Sequence, residues 1–185
     1  MDGIDIGKSQ TSDATKDPSD FCAVVFRRAY GTEPPKFVAI YKDRPNDARE
    51  AYKIAIKLAQ YYNAVVNVEA TRTGVISYAR DNNLLKWFMR RPKATLAVSS
   101  KNTSKQYGTP ATVAIIDHQT DLIADYVNDY CHEIWFDEML DELNRYTDEN
   151  KRKFDIVASM GMAMLANEEL SGTPPKMVES EDNRW

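Results

Sequence analysis

Apolar residues follow two different spacings along this 185-residue chain, and the changes between them mark out its elements. Gly3-Ile4-Asp5-Ile6-Gly7 predicts a short strand at the very start, so the chain reads as a segment of a longer polypeptide. A polar stretch from Lys8 to Asp20 leads into Phe21-Cys22-Ala23-Val24-Val25-Phe26, a continuous apolar run that predicts a buried strand. Gly31-Thr32-Glu33-Pro34-Pro35 predicts a turn, and Lys36 to Lys42 the next strand. These three strands are expected to form an antiparallel meander.

The period then lengthens to that of a helix. Asn46 or Asp47 is the expected cap, with Glu50 completing a capping box after Asp47, and Ala51, Ala55, Leu58 and Tyr62 make the apolar stripe as far as about Asn63. Ala64 to Val68 is short and rich in β-branched residues. Strand, helix and strand in that order predict a crossover joining parallel strands, with Glu69 at the C-terminal end of the second. Thr73 to Asn83 suits a short helix and Ala94 to Val98 a strand. Thr112 to Tyr130 predicts a helix with Ile115, Ile116, Leu122, Ile123, Tyr126 and Val127 inward, and Asp117, Asp121, Asp125 and Asp129 on a solvated face. Asp137 to Tyr146 predicts a short helix. Lys151 to Leu170 predicts a long one, apolar nearly all round, with Ala158, Gly161 and Ala163 permitting close packing. The pattern as a whole is that of an α/β domain over residues 1–170, a central mixed sheet flanked by helices, followed by a loose tail at 171–185.

Composition adds bounds rather than an identity. The length suits one domain with a proper core, and no apolar run reaches membrane-spanning length, so a cytoplasmic protein with no membrane partner is expected. Cys22 and Cys131 lie far apart without metal-ligand spacing, and both are expected to be small buried apolar residues. The net charge is −4, but its distribution is uneven. Asn82 to Ile116 holds six basic residues and no acidic one, whereas Asp117 to Asn150 holds eleven acidic residues and one basic. Such blocks can present one face to phosphates and another that repels them.

Three acids stand where chemistry could be built: Asp5 within the first strand, Glu69 at the end of the crossover strand and Asp155 near the start of the apolar helix. Each also has an ordinary role open to it: a strand-end hydrogen-bond acceptor for Asp5, an ion pair with Arg72 or a cap for Glu69, and a helix-dipole partner for Asp155. If the three converge at one sheet edge, their mutual repulsion calls for divalent cations, and oxygen-only ligands favour Mg²⁺ or Mn²⁺. Two such ions about 4 Å apart can activate water and stabilise the leaving oxygen of a phosphodiester. Arg72, Arg90, Arg91, Lys93, Lys101 and Lys105 are the candidates for holding the backbone of double-stranded DNA, while Trp87 and Phe88 are expected in the core. Gly7-Lys8-Ser9 lacks the first glycine of a phosphate loop, which excludes nucleotide binding by that route. His118 and His132 lack metal spacing.

Taken in order, Gly3-Ile4-Asp5-Ile6-Gly7, Val66-Asn67-Val68-Glu69 with Gly74, Tyr107-Gly108-Thr109-Pro110-Ala111-Thr112, and Lys153-Phe154-Asp155-Ile156-Val157-Ala158 resemble the C-terminal nuclease domain of the large terminase subunit of tailed bacteriophages. The resemblance spans roughly Gly3 to Glu169. It implies a ribonuclease H-like fold and a two-metal endonuclease, with Asp5, Glu69 and Asp155 as metal ligands, that cuts concatemeric viral DNA during genome packaging. It also implies an upstream ATPase domain of the same polypeptide, portal and small-subunit partners, and a place in the host cytoplasm at the capsid portal. Two positions depart from the family pattern. Phe154 precedes Asp155 where paired acids are common, and Asp20 is the nearest match to a further acid before the second strand, which makes it a secondary metal candidate. Other readings are a junction resolvase or integrase-like nuclease of the same fold, or a non-catalytic domain docking a packaging motor.

Overall fold

A computed structural model describes residues 20–71, 73–95 and 106–171. Its architecture is mixed α/β. Strands β1 (Phe21–Arg27) and β2 (Lys36–Asp43) pair antiparallel around a turn at Gly31, and helices α1 (Ala48–Tyr61), α2 (Thr73–Asp81), α3 (Val113–Tyr130), α4 (Asp137–Arg145) and α5 (Asp155–Leu170) follow. Phe21 lies opposite Asp43 and Arg27 opposite Lys36, with a bulge between Val25 and Phe26.

The apolar run at Phe21–Phe26 is explained by what lies on either side of β1. Side chains alternate across a strand, and here Phe21 and Ala23 enter a core with α1, α2, Val66 and Val68. Cys22, Val24 and Phe26 enter a second core with α3, α4 and α5. A strand covered on both faces has no polar alternation to show.

Helix α5 lies along β1 and runs in the same direction. At the start the Asp20 N–H donates to the Asp155 carboxylate at 3.0 Å; midway the Ser159 hydroxyl donates to the Cys22 carbonyl at 3.3 Å. At the far end the Arg28 guanidinium donates to the Leu170 carbonyl at 2.6 Å. Helix α3 meets α5 at Gly161, where an added Cβ would lie 2.9 Å from the Gln119 Cβ. Only a residue without a side chain allows that approach.

Helix starts follow the expected chemistry. The Asp47 carboxylate accepts the Arg49 N–H at 2.9 Å at the head of α1, and the Thr112 hydroxyl accepts the Ile115 N–H at 3.4 Å at the head of α3. Asn63, with φ +49°, turns the chain out of α1. On α1 the buried face is Ala51, Ala55, Ile56 and Ala59, while Leu58 and Tyr62 are half-buried. On α3 Ile115, Ile123 and Tyr126 are buried, Ile116, Leu122 and Val127 half-buried, and Asp117, Asp121, Asp125 and Asp129 all exposed.

Several expectations need correction. Ala64–Val68 forms no continuous strand; only isolated parallel bridges join Val66 to Phe88 and Glu69 to Thr109. Lys93–Thr95 is a 3-10 turn rather than the start of a strand, and 96–98 lie outside the described residues. There Pro92 fixes the turn, its carbonyl accepting both the Thr95 N–H and the Thr95 hydroxyl. The last helix begins at Asp155, not Lys151: the backbone turns at 148–152, the Asn150 carbonyl accepts the Lys153 N–H at 2.8 Å, and Phe154 is extended. Cys22 is buried, but Cys131 is exposed on the turn that leaves α3. The first predicted strand, Gly3–Gly7, and the tail at 172–185 lie outside the described residues, so the described part of the meander is the β1–β2 pair.

Candidate functional site

Asp155 is the first residue of α5, where a negative charge is favoured by the helix dipole. It is half-buried at the end of the sheet where β1 starts and β2 stops. The orphan N–H groups of that helix turn are satisfied from elsewhere. Glu142 of α4, only 4% exposed, accepts the N–H of Ile156 at 2.8 Å and of Val157 at 3.2 Å through Oε2. Its Oε1 accepts from the Lys42 ammonium at 2.8 Å. Burial works to lower the Lys42 pKa, but its hydrogen bond and charge attraction to Glu142, with Asp155 adding to them, outweigh this and raise it. The ammonium therefore stays charged beside two carboxylates. Asp20 turns its own carboxylate to Arg44 at 2.7 Å, so it meets Asp155 through its backbone rather than as a second side-chain acid.

Glu69 stands at the end of a segment held by an interlocking set of bonds. The Val66 N–H donates to the Trp87 carbonyl and the Met89 N–H to the Val66 carbonyl. The Thr109 N–H donates to the Val68 carbonyl and the Ala70 N–H to the Thr109 carbonyl, each at 2.7 Å. Between them Asn67 is fully buried. It donates from Nδ2 to the Met162 carbonyl at 3.0 Å and accepts the Thr109 hydroxyl at 2.8 Å, which ties the segment to α5. Gly108, at φ +87°, permits this clasp because an added Cβ would lie 2.8 Å from the Ala70 Cα. The Glu69 carboxylate accepts the Thr71 hydroxyl.

The basic candidates have structural partners. Arg91 donates from Nε to the Gly108 carbonyl at 2.9 Å, and the Arg90 guanidinium lies 5.0 Å from the Tyr107 ring centre. Lys93 pairs with Glu169 at 3.5 Å, and its backbone N–H reaches the same carboxylate at 2.8 Å. Phe88 is buried and Trp87 packs against the same core, as expected. His118 pairs with Glu168 at 2.9 Å. Asp5, Arg72, Lys101 and Lys105 lie outside the described residues.

The structure thus brings Asp155 to Asp20, and Glu142 and Lys42 to the same helix end. Among the described residues no group of three or more His, Cys, Asp or Glu side chains is arranged to hold a metal ion, and no helix is long and apolar enough to cross a membrane. Sequence reasoning missed Glu142 and Asn67. The signal for Glu142 was its position three residues after Met139, on the one face of α4 that is buried. For Asn67 it was a lone amide inside an apolar run, which folding buries only with its bonds satisfied. Neither a protein-family model, nor a curated protein, nor a solved structure matches this chain.

Proposed function

We propose that this chain is a metal-dependent endonuclease of ribonuclease H-like fold, acting on double-stranded viral DNA during genome packaging, with Asp5, Glu69 and Asp155 as its acidic centre. The observation that carries the reading is the seat of Asp155, half-buried at the head of an apolar helix and next to the start of a strand buried on both faces. Chain path supports pairing it with Glu69. The end of β2 lies opposite the start of β1, so α1 sets out from the Asp155 end of the sheet. Its 14 residues cover about 21 Å. After Asn63 the Ala64 N–H caps the helix at the Ala59 carbonyl, and Val66 and Val68 pack in one core with Ala51, Ala55 and Ala59 of α1.

The donor chemistry suits hard cations. Glu69 and Asp155 offer carboxylate oxygens without His or Cys, the set that selects Mg²⁺ or Mn²⁺. Bound there, such ions would supply Lewis-acid activation of water and of the phosphodiester. Asp20 is the weaker candidate ligand, because Arg44 engages its carboxylate. The chain's own contribution is to fix the acids: Glu142 and Lys42 brace the first turn of α5, and the Thr109 clasp braces Glu69.

Incubating supercoiled plasmid with the protein and Mn²⁺ tests this. Nicking and linearisation are expected, abolished by EDTA and reduced at least about a hundredfold in Glu69→Ala and in Asp155→Asn. Cleavage that persists in EDTA or in Glu69→Ala sinks the reading. Preference for branched over linear duplex would reassign the chain to junction resolution.

A further inference from the structure

The turn between α3 and α4 carries an apolar surface that the proposed chemistry does not use. Extended backbone sends successive side chains to opposite sides. Ile134, extended at φ −92° and ψ 107°, is buried in the core with α3, α4 and α5. Trp135 is therefore turned outward and is 72% exposed. Its ring is nonetheless held: the indole N–H donates to the His132 carbonyl at 3.3 Å, and the Lys36 ammonium lies 4.9 Å from the ring centre. Leu140, on α4, is 38% exposed.

The surroundings of this apolar pair are acidic. From Asp129 to Asp141 there are six acidic residues and no lysine or arginine. From outside that stretch Lys36 pairs with Glu133 at 3.8 Å and Arg145 with Asp141 at 3.6 Å, which leaves Asp129, Asp137 and Glu138 to carry the local negative charge. Asp129, Asp137, Glu138 and Asp141 are exposed. Such a field repels the phosphates of DNA and attracts cations on a partner. A fixed exposed tryptophan is the residue type that anchors protein interfaces when a partner covers it. The combination specifies both halves of the complement, an apolar anchor and flanking positive charge.

We propose that the α3–α4 turn docks a basic amphipathic helix of a partner protein, with an apolar side chain of that helix on Trp135 and Leu140 and its Lys or Arg residues against Asp137 and Glu138. The acidic residues steer the approach, and the tryptophan supplies most of the retention.

A fluorescein-labelled synthetic helical peptide of about 18 residues, with lysines along one face and leucines along the other, tests this by anisotropy against the intact chain. Saturable binding is expected, weakened about tenfold or more by Trp135→Ala. The double variant Asp137→Asn with Glu138→Gln should weaken it severalfold and flatten its salt dependence. Asp121→Asn with Asp125→Asn, on the exposed face of α3, should leave it unchanged. All these positions are exposed, and circular dichroism checks that each variant keeps its helices. Absence of binding, equal binding by Trp135→Ala, or an equal loss from the α3 variant overturns the proposal. So does light scattering that shows a dimer lost in Trp135→Ala, because a second copy of the chain would then be the occupant.

Discussion

Glu142 of α4 accepts the backbone N–H of Ile156 at 2.8 Å and so closes the head of the next helix, across the connection 146–154. Removing a side-chain cap costs about 1 kcal/mol, and leaving a buried N–H without its acceptor costs about 1–3 kcal/mol. Glu142→Ala takes away two helix N–H acceptors and the partner of Lys42. A loss of about 2–3 kcal/mol is expected from urea unfolding, mainly from the two orphaned N–H groups, with Glu142→Gln losing about half of that because its amide oxygen still accepts. Unchanged midpoints for both variants would show that water satisfies this helix end.

Gly161→Ala separates propensity from packing. In an exposed helix the change stabilises by about 1 kcal/mol. Here the new methyl would lie 2.9 Å from both Cβ and Cδ of Gln119. The Cδ can swing away, but the Cβ is fixed by the α3 backbone, so a net destabilisation of about 1–3 kcal/mol is expected from thermal unfolding. A rise in melting temperature would mean that the α3–α5 crossing can slide.

The buried bonds at Asn67 predict an asymmetry. Thr109→Val keeps the shape but leaves the buried Asn67 Oδ1 without its donor, a loss of about 1–2 kcal/mol, while the bond to Met162 survives. Asn67→Leu leaves the buried Thr109 hydroxyl without its acceptor and removes the tie to Met162, and should lose about 3 kcal/mol. Chemical denaturation of the two variants side by side reads the difference, and equal losses would count against a linked chain of bonds.

Tyr126 sets an alkaline limit. Burial above all, with a smaller contribution from Glu133, pushes its pKa up to about 12, whereas an unfolded tyrosine ionises near 10. The folded chain thus holds a proton that the unfolded chain releases. This contribution to stability is complete below about pH 10 and is lost as the pH climbs through about 12. Tyr126→Phe should show a shallower fall of stability across that range by denaturant titration; an identical slope would indicate that the phenol is reached by water.

How much of this was legible in the sequence depended on whether a residue's role is local. The cap at Asp47 involves neighbours in the chain, the helix after Thr112 shows in its own apolar spacing, and the Phe21–Phe26 run betrays a buried strand by itself. All three were readable. Glu142 was not, because within Asp137–Arg145 it looks like one more solvated acid until α5 is folded against it. Gln119 sits buried in the inward stripe of α3, facing a glycine that only tertiary contact explains. Cys131 failed for the opposite reason: residue type suggested an interior that the end of α3 does not provide. Of the proposed acidic centre, Asp155 is the first residue of α5, Glu69 sits on an isolated bridge rather than at the end of a strand, and Asp5 lies outside the described residues.

Strand β1 gives alternate side chains to two different cores. A break in its backbone therefore opens both at once. Amide protons along Phe21–Phe26 should exchange only through global opening, with one common free energy for the two sides. The molecule would then melt as one unit despite its layered build.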